Sequence, residues 1–360
     1  MFVTGDPSSI IADIGTETLK IGYSGSESPS IYRTTPCLFN NYTSPVVNSI
    51  VQDIPGYFHL LQKYLPSFES QLLIAEHTLQ PSSTRREMLG PLFESRLCNS
   101  VLFVKSAVLD LFAYGKSTGV VVALSGGSTT VVTIVEGMIT HQQMVGVGGF
   151  ELTRMVGDIV GDVIPRQMIK SKSTDGYETV NLSWTSERLH YEKTEVYRDI
   201  KERMCSVRTN KKEIKKEEPT EEMKKEEMIL NEYELPTGKY IQMGQEKYEL
   251  YECIFKELAT VIHKLIEMND PELRFTLLGN IVLSGGVGNA VGITERLIQD
   301  LYLWYPVSKI KIVHDKRFNT FFGGAIVGSL GSARALYISA EDYQEVGEGI
   351  LDRKKCDWLG

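Results

Sequence analysis

Three glycine-containing turns carry the residues of this sequence that could hold a phosphate group. In chain order they are Gly15-Thr16, Ser125-Gly126-Gly127 and Ser284-Gly285-Gly286. Asp13 precedes the first turn and Lys20 follows it. Backbone N–H groups of small residues in a tight turn can surround a phosphate, and a nearby lysine adds positive charge. The pattern predicts anion binding at these turns.

The second turn lacks the side chains that phosphate hydrolysis needs. Hydrolysis requires groups that hold Mg²⁺ and orient a water molecule. Ala123, Leu124 and Gly126, which stand at this turn, can do neither. The sequence therefore predicts a nucleotide-type site whose catalytic groups are absent.

The elements around the turns follow from their apolar patterns. Residues 10–25 and 120–135 each read as strand, turn and strand, which indicates an internal duplication of two related lobes. Residues 280–288 predict a buried strand that enters a glycine turn, and residues 293–301 predict an amphipathic helix. Residues 83–115 are predicted to be helical, with a cap at Ser83 or Thr84, a break at Gly90-Pro91 and an end at Gly115.

Composition limits the class of protein. A chain of 360 residues, 42% of them hydrophobic, predicts two or three domains or lobes. Its net charge of −8 argues against direct DNA binding. Five scattered cysteines without CxxC spacing predict free thiols, and the absence of a basic, apolar leader or a bilayer-length apolar run favours cytosol or nucleus.

Several residues have a functional and a structural interpretation. None of the six histidines has metal-ligand spacing, so a metal site is not expected. Ser125 is interpreted as a turn residue and not as a nucleophile. Residues 211–227 mix both charge signs around a proline and predict a mobile surface insertion, either a solvated loop or a docking segment. Tyr343 and Val346, in a predicted helix, fit core packing or a partner surface equally.

Taken together, the three turns resemble the nucleotide-cleft segments of the actin family in order and spacing. The similarity extends to residues 198–203, 233–236 and 322–330. It implies an α/β, two-lobed fold of the actin, Hsp70 and hexokinase superfamily, with ATP and Mg²⁺ in a cleft. The implied outer lobe is 1–113 plus 319–360 (subdomain 1), with the filament-type subdomain 2 reduced to about 36–50. The inner lobe is 114–318, with subdomain 4 at about 148–255.

The resemblance also assigns nucleotide contacts residue by residue. The implied set is Asp13, Gly15, Thr16, Lys20, Gly126, Gly127, Lys201, Glu202, Gly285, Gly286 and Arg317. Asp13 stands where actins keep a carboxylate near the waters of Mg²⁺. Lys201 and Glu202 match a pair that reaches the adenine and ribose. Without the resemblance, Lys20 and Lys201 would be interpreted as exposed lysines.

Departures from the family pattern concern hydrolysis and base stacking. Actins have carboxylates at the positions of Ala123 and Gly126, a water-positioning glutamine at Ser106 and a histidine at Thr130. One positioned acid or base contributes about 10²–10⁴ in rate, so we expect no useful ATPase activity. Ala290 and Val291 replace an aromatic residue and a proline at the adenine platform, which reduces stacking. The expected cofactor is ATP that is bound and not hydrolysed.

Within the family, residues 163–172, 103–109 and 339–347 are similar to the nuclear actin-related protein four type. That resemblance implies a non-filamentous scaffold subunit of a chromatin-remodelling or histone-acetyltransferase complex. The implied partners are nuclear actin, a helical segment of a large scaffold subunit and histones, with no membrane contact. The alternative is a cytoplasmic, cytoskeletal actin-related protein or a slow ATPase of the same fold.

Overall fold

The computed structural model of the protein describes residues 9–34, 44–66, 70–165, 168–170, 177–179, 184–209, 232–314 and 318–354. Its strands are β1 Ile10–Ile14, β2 Thr18–Tyr23, β3 Ser30–Arg33, β4 Val46–Val47, β5 Ile50–Val51, β6 Ser70–Glu76, β7 Cys98–Lys105, β8 Gly119–Leu124, β9 Thr129–Val135, β10 Met138–Met144, β11 Met168–Lys170, β12 Tyr177–Thr179, β13 Glu232–Glu234, β14 Tyr240–Gln242, β15 Ile281–Ser284, β16 Ile312–Val313 and β17 Ile338–Ser339.

The α-helices of the same residues are α1 Ile54–Tyr64, α2 Ser82–Glu94, α3 Ser106–Phe112, α4 Gly149–Val160, α5 Ser186–Met204, α6 Glu246–Glu249, α7 Glu252–Glu267, α8 Pro271–Leu278, α9 Ile293–Tyr302, α10 Asn319–Ser329, α11 Ala340–Val346 and α12 Ile350–Arg353. Short 3₁₀ turns occupy Gly286–Asn289, Gly331–Leu336 and Gly347–Gly349. None of the helices in these described ranges is long and apolar enough to cross a membrane.

Two central sheets have matching topology. The outer sheet has the strand order β17-β7-β6-β1-β2-β3, and the inner sheet has the order β10-β9-β8-β15-β16. In each, a three-stranded antiparallel meander joins parallel strands through its first strand, β1 or β8. The predicted duplication of two related lobes is confirmed by this shared order.

Each central sheet is covered on both faces, which explains the nearly continuous apolar runs of its parallel strands. In the outer sheet, Ile11 and Leu73 pack with Phe321 of α10 on one face. Their sequence neighbours Ile10 and Leu72 pack towards α1 and α2 on the other face, as the alternation of a strand requires. The inner sheet likewise separates a large core with α4, α5 and α7 from a smaller one with α3.

The prediction of one helical stretch over residues 83–115, broken at Gly90-Pro91, is wrong. Helix α2 begins after Pro81 and continues through Pro91 to Glu94, and residues 98–105 form strand β7. Pro91 removes a single helical hydrogen bond, while buried Leu89 and Leu92 hold the helix on the core. The run in β7 lies between β6 and β17 and is buried on both faces of the sheet. The predicted end near Gly115 is confirmed, with a φ of 66° there.

Other predicted elements agree with the structure. The strand at 281–284, its glycine turn and the helix at 293–302 are all present. Tyr343 lies on α11 with its ring 5.4 Å from that of Phe93, so it packs against the outer core. The predicted insertion at 211–227, and residues 36–43 of the predicted shortened subdomain 2, lie outside the described residues. The residue boundaries of the lobes stay a prediction.

Candidate functional site

The first turn connects β1 to β2 and is closed by its own backbone. The Gly15 N–H donates to the Thr18 carbonyl at 2.9 Å. Across the hairpin, Lys20 Nζ donates to Asp13 Oδ2 at 2.8 Å, and the two residues are register partners. Their side chains are 24% and 15% exposed. The predicted phosphate lysine is therefore already paired with the predicted Mg²⁺ carboxylate.

The second turn connects β8 to β9 and is tied to the start of α4. Ser125 N–H donates to the Ser128 carbonyl at 3.0 Å, which confirms the interpretation of Ser125 as a turn residue. The Ser125 and Gly126 carbonyls accept from the N–H groups of Gly149 and Phe150 at 2.9 and 2.7 Å. The N–H groups in the first turn of a helix have no partner within the helix, and these are the groups that bind anions. At α4, two of these groups are bound to the turn.

The third turn follows β15 and lies against the second. Gly285 has a φ of 86°, and a Cβ there would lie 2.3 Å from the Leu124 carbonyl oxygen. Only glycine allows this approach of the two backbones. A Cβ on Gly286 would meet nothing within 4 Å, so this residue borders open space. Val291 is 75% exposed beyond it.

The turn between β4 and β5 closes the gap between the first two turns, and sequence reasoning missed it. The Ser49 N–H donates to Thr16 Oγ1 at 3.1 Å, and Ser128 Oγ donates to Ser49 Oγ at 3.0 Å. A Cβ on Gly127 would lie 2.4 Å from Thr16 Oγ1 and 2.5 Å from the Ser49 nitrogen. Ser49 has a φ of 67°, a rare value for a residue with a side chain. The sequence 48–49 carries no glycine that would signal it.

Lys201, a predicted ribose and adenine contact, is held inside the inner lobe. It lies on α5 and is only 5% exposed. Its Nζ donates to the Gly149 carbonyl and to Thr153 Oγ1, both at 2.8 Å. Burial lowers the pKa of the Lys201 ammonium, and the Glu17 carboxylate opposes that shift. Its neighbour Glu202 is exposed. The lysine thus braces α4 against α5.

Ion pairs join the two lobes at the mouth of the cleft. Arg33 of β3 contacts Glu195 of α5 at 3.2 Å between Nη2 and Oε2. Arg198 of α5 pairs with Glu195 and lies 3.8 Å from Glu17 of the first turn, between Nη1 and Oε2. The Arg198 side chain is 11% exposed. Because Arg33 and Glu17 belong to the outer sheet and its first turn, while α5 packs on the inner sheet, these contacts favour a closed cleft.

The hydrolytic positions that the resemblance marks as substituted have no replacement nearby in the second turn. Ala123 is buried and pairs in register with Thr130, whose Oγ1 is buried without a hydrogen-bond partner. Ser106 is the first residue of α3. The residue before it, Lys105, forms an ion pair with buried Glu76, with 2.6 Å between Nζ and Oε1. Arg85 pairs with the same carboxylate at 2.5 Å. That ion network lies in the outer core and stabilises it.

Asp110 is a buried carboxyl group between the lobes, and sequence reasoning missed it. It lies on α3, is 2% exposed and accepts from Thr320 Oγ1 at 2.7 Å. Burial raises its pKa to about 7, against the effect of hydrogen bonds from Thr320 and Ser284. Asp13 adds to this rise and Lys20 opposes it. Because Thr320 is on α10 and Ser284 on β15, one carboxyl group joins both lobes.

The phosphate end of this cleft does not fit a Mg²⁺-triphosphate group. Asp13 is paired with Lys20, Ala123 supplies no second carboxylate, and the space beside Gly127 is filled by Thr16 and Ser49. Within the described ranges, no group of three or more His, Cys, Asp or Glu side chains could hold a metal ion. Arg317, the remaining predicted contact, lies outside these ranges. The open space lies at Gly286, which the resemblance places below the adenosine.

The two matched sheets and the three turns between them define a two-lobed protein with a cleft. The family model described as Actin matches residues 4–356, which is nearly the whole chain. The chain therefore belongs to the actin family, and its actin-like fold is confirmed. Members of that family generally bind nucleotide and Mg²⁺.

Proposed function

We propose that the protein is a non-filamentous actin-related scaffold subunit of a nuclear chromatin-remodelling or histone-acetyltransferase complex, of the actin-related protein four type. The observation that carries the proposal is the second turn. At the position where the first hairpin has an ion pair, this turn has Ala123 opposite Thr130, and neither side chain is ionisable. A family member with such a turn has lost the groups for nucleotide turnover.

The catalytic rate expected to be lost with the substituted residues supports a binding role over an enzymatic one. A positioned acid or base contributes about 10²–10⁴ in rate, and several such positions are substituted in this chain. A scaffold needs only a rigid fold and surfaces for partners. Ion pairs between β3, the first turn and α5 hold the two lobes without any contribution from hydrolysis.

Partner surfaces are available on α10. Ile326 of this helix is 44% exposed, and Leu330, which directly follows its last residue, is 50% exposed, while the rest of the helix packs into the outer core. Exposed apolar side chains at this spacing suit an amphipathic helix of a partner. We propose a helical segment of a large scaffold subunit there, with nuclear actin and histones as further partners. Nuclear residence is part of the proposal.

The nucleotide is proposed as a structural ligand at most. ATP bound to the folded state and not hydrolysed would stabilise that state by mass action. Gly285 and Gly286 supply backbone at the open space that the resemblance places below the adenosine, while Asp13 and Lys20 are tied to each other. The scaffold function does not require the nucleotide to turn over.

Two measurements on the purified chain test the scaffold proposal. We expect no single-site ATP turnover, and a one-to-one complex with monomeric actin but no co-sedimentation with filaments. An Asp13→Ala variant is the control, because turnover from a contaminating ATPase would survive it. ATP turnover that Asp13→Ala abolishes, or co-sedimentation with filaments, would contradict the proposal and favour the cytoskeletal or slow-ATPase alternative.

A further inference from the structure

Glu17, the third residue of the first turn, reaches across the cleft to the second turn. Its Cγ and Cδ atoms both lie 3.3 Å from the position that a Cβ on Gly126 would take. The Glu17 side chain is 24% exposed, so most of it is covered by the protein. Its carboxylate thus stands between the two turns whose backbones face the phosphate end of the cleft.

The neighbouring space is filled as well. A single added methyl group on Gly127 would lie 2.4 Å from Thr16 Oγ1 and 2.8 Å from Ser49 Oγ. A phosphate group is larger than a methyl group, so this side of the turn has no room for one. Thr16, Glu17 and Ser49 together occupy the gap between the turns.

The charges around Glu17 come from the opposite lobe. Arg198 Nη1 lies 3.8 Å from Glu17 Oε2, and Arg198 is largely buried. Among the charged neighbours that favour the ammonium form of Lys201, the Glu17 carboxylate has the largest effect on its pKa, ahead of Glu202, although burial dominates and lowers it. Arg198, which also pairs with Glu195, and Lys201 are thus two cations of α5 that the Glu17 carboxylate attracts across the cleft.

We propose that the Glu17 carboxylate is a built-in anion that takes the place of a nucleotide phosphate between the two turns. A carboxylate offers the negative charge and the acceptor oxygens by which cationic side chains recognise phosphate. Because it is tethered, it loses no translational freedom when it meets Arg198. The lobes are then held together without a phosphorylated ligand, and the same carboxylate repels one.

The inference deepens the scaffold proposal, since it rests on a cleft that does not need to turn over nucleotide. It makes no use of the partners or of the compartment.

Its test is the replacement Glu17→Ala, with inorganic pyrophosphate as the probe. Thermal unfolding of the wild type is expected to be indifferent to millimolar pyrophosphate. The variant is expected to unfold at a lower temperature without ligand, and to gain roughly 2–4 °C when pyrophosphate binds between the turns. Glu27→Ala is the matched control, because Glu27 is an exposed carboxylate of the same lobe, and it should change neither quantity.

Two results would overturn the inference. One is a pyrophosphate shift in the wild type as large as that in Glu17→Ala, which would mean that the phosphate end is open. The other is a Glu17→Ala variant whose unfolding temperature and response to pyrophosphate both equal those of Glu27→Ala. Should the alanine variant fail to fold, Glu17→Gln keeps the size and removes the charge, and it is expected to lower the unfolding midpoint by less.

The outcome is separable from that of the scaffold proposal. Pyrophosphate binding by the wild type would contradict the proposal that Glu17 is a built-in anion, but it would remain compatible with a scaffold that binds a ligand. ATP turnover in the wild type would remove the scaffold proposal itself. Absence of turnover together with a pyrophosphate response confined to Glu17→Ala supports both.

Discussion

The first turn (residues 15–17) and the second turn (125–128) join equivalent strands of the two sheets. Each hairpin has a register pair one step from the turn. In the first hairpin that pair is Asp13 with Lys20, an ion pair of 2.8 Å. In the second it is Ala123 with Thr130, whose hydroxyl has no partner. The backbones match while the chemistry differs.

This difference separates what holds a turn from what a turn can do. The second turn is fixed by its own backbone, through the N–H groups of Gly149 and Phe150 and the close contact with Gly285. Such a turn needs glycines but no charge. The first turn retains charge, yet its charged side chains are directed at the protein itself. The two turns share a backbone arrangement, while their side chains differ in charge.

The largest expected effect is that of a methyl group added to the second turn, compared with one added to the first. Gly127→Ala places a Cβ 2.4 Å from Thr16 Oγ1 and 2.5 Å from the Ser49 nitrogen, and Ser49 is fixed backbone. We expect a loss of about 3 kcal/mol in the free energy of unfolding. Gly15→Ala meets only the Thr18 oxygen, at 3.4 Å, and should cost less than about 1 kcal/mol. Urea unfolding of both variants measures the contrast, and equal losses would contradict it.

A second prediction concerns Asp110, whose pKa is affected by the charges of Asp13 and Lys20 beside the first turn. Its pKa is raised from 3.8 to about 7 in the fold, so folding favours the protonated form. Stability from this group is therefore fullest below pH 4 and declines as the pH rises towards 7. Wild type should lose about 2 kcal/mol through this group between pH 5 and 8, and Asp110→Asn should lose that dependence. Asp158→Asn, at an exposed carboxylate, is the control.

Unfolding free energies at several pH values decide this second prediction. A profile for Asp110→Asn that runs parallel to the wild type would show that the carboxyl group is ionised in the fold.

A smaller effect than that of Gly127→Ala or of the Asp110 titration is expected for Lys20→Gln. Its ion pair with Asp13 is partly exposed, so removal should cost about 1 kcal/mol. Because Lys20 opposes the rise in the pKa of Asp110, the variant should also move the titration of Asp110 upwards. Replacing exposed Lys309 by glutamine should do neither. An unchanged titration of Asp110 would show that the first turn is not coupled to the buried carboxyl group.

Local patterns predicted much of the fold because they act over short distances. Glycine turns between β-branched runs located β1, β2, β8, β9 and β15 correctly. The failure at residues 83–115 has a different cause. Residues 98–105 become a strand because they pair with β6 and are covered on both faces, and the periodicity of a short apolar run cannot show this. Helix α2 kept Pro91 because packing outweighed one lost hydrogen bond.

The site could be predicted only at positions where the residue type has a single structural explanation. Glycine at a close backbone approach is such a case, as at Gly127 and Gly285. Glu17 reads as an ordinary surface charge until the opposing turn is placed beside it. Asp110 interrupts an apolar stripe without any sign in the sequence of what it would contact. Lys201 was assigned to a ligand, and its bonds to Gly149 and Thr153 could not be foreseen.

The path of the chain through the two sheets fixes the order in which they can be completed during synthesis. All five inner strands come from residues 119–313, whereas the outer sheet requires β17 at 338–339 and the cover of α10. The face of β1 that packs against Phe321 remains uncovered until this later segment has been synthesised. The lobe that begins the chain is thus the last that a ribosome can finish, and its apolar strands are exposed meanwhile.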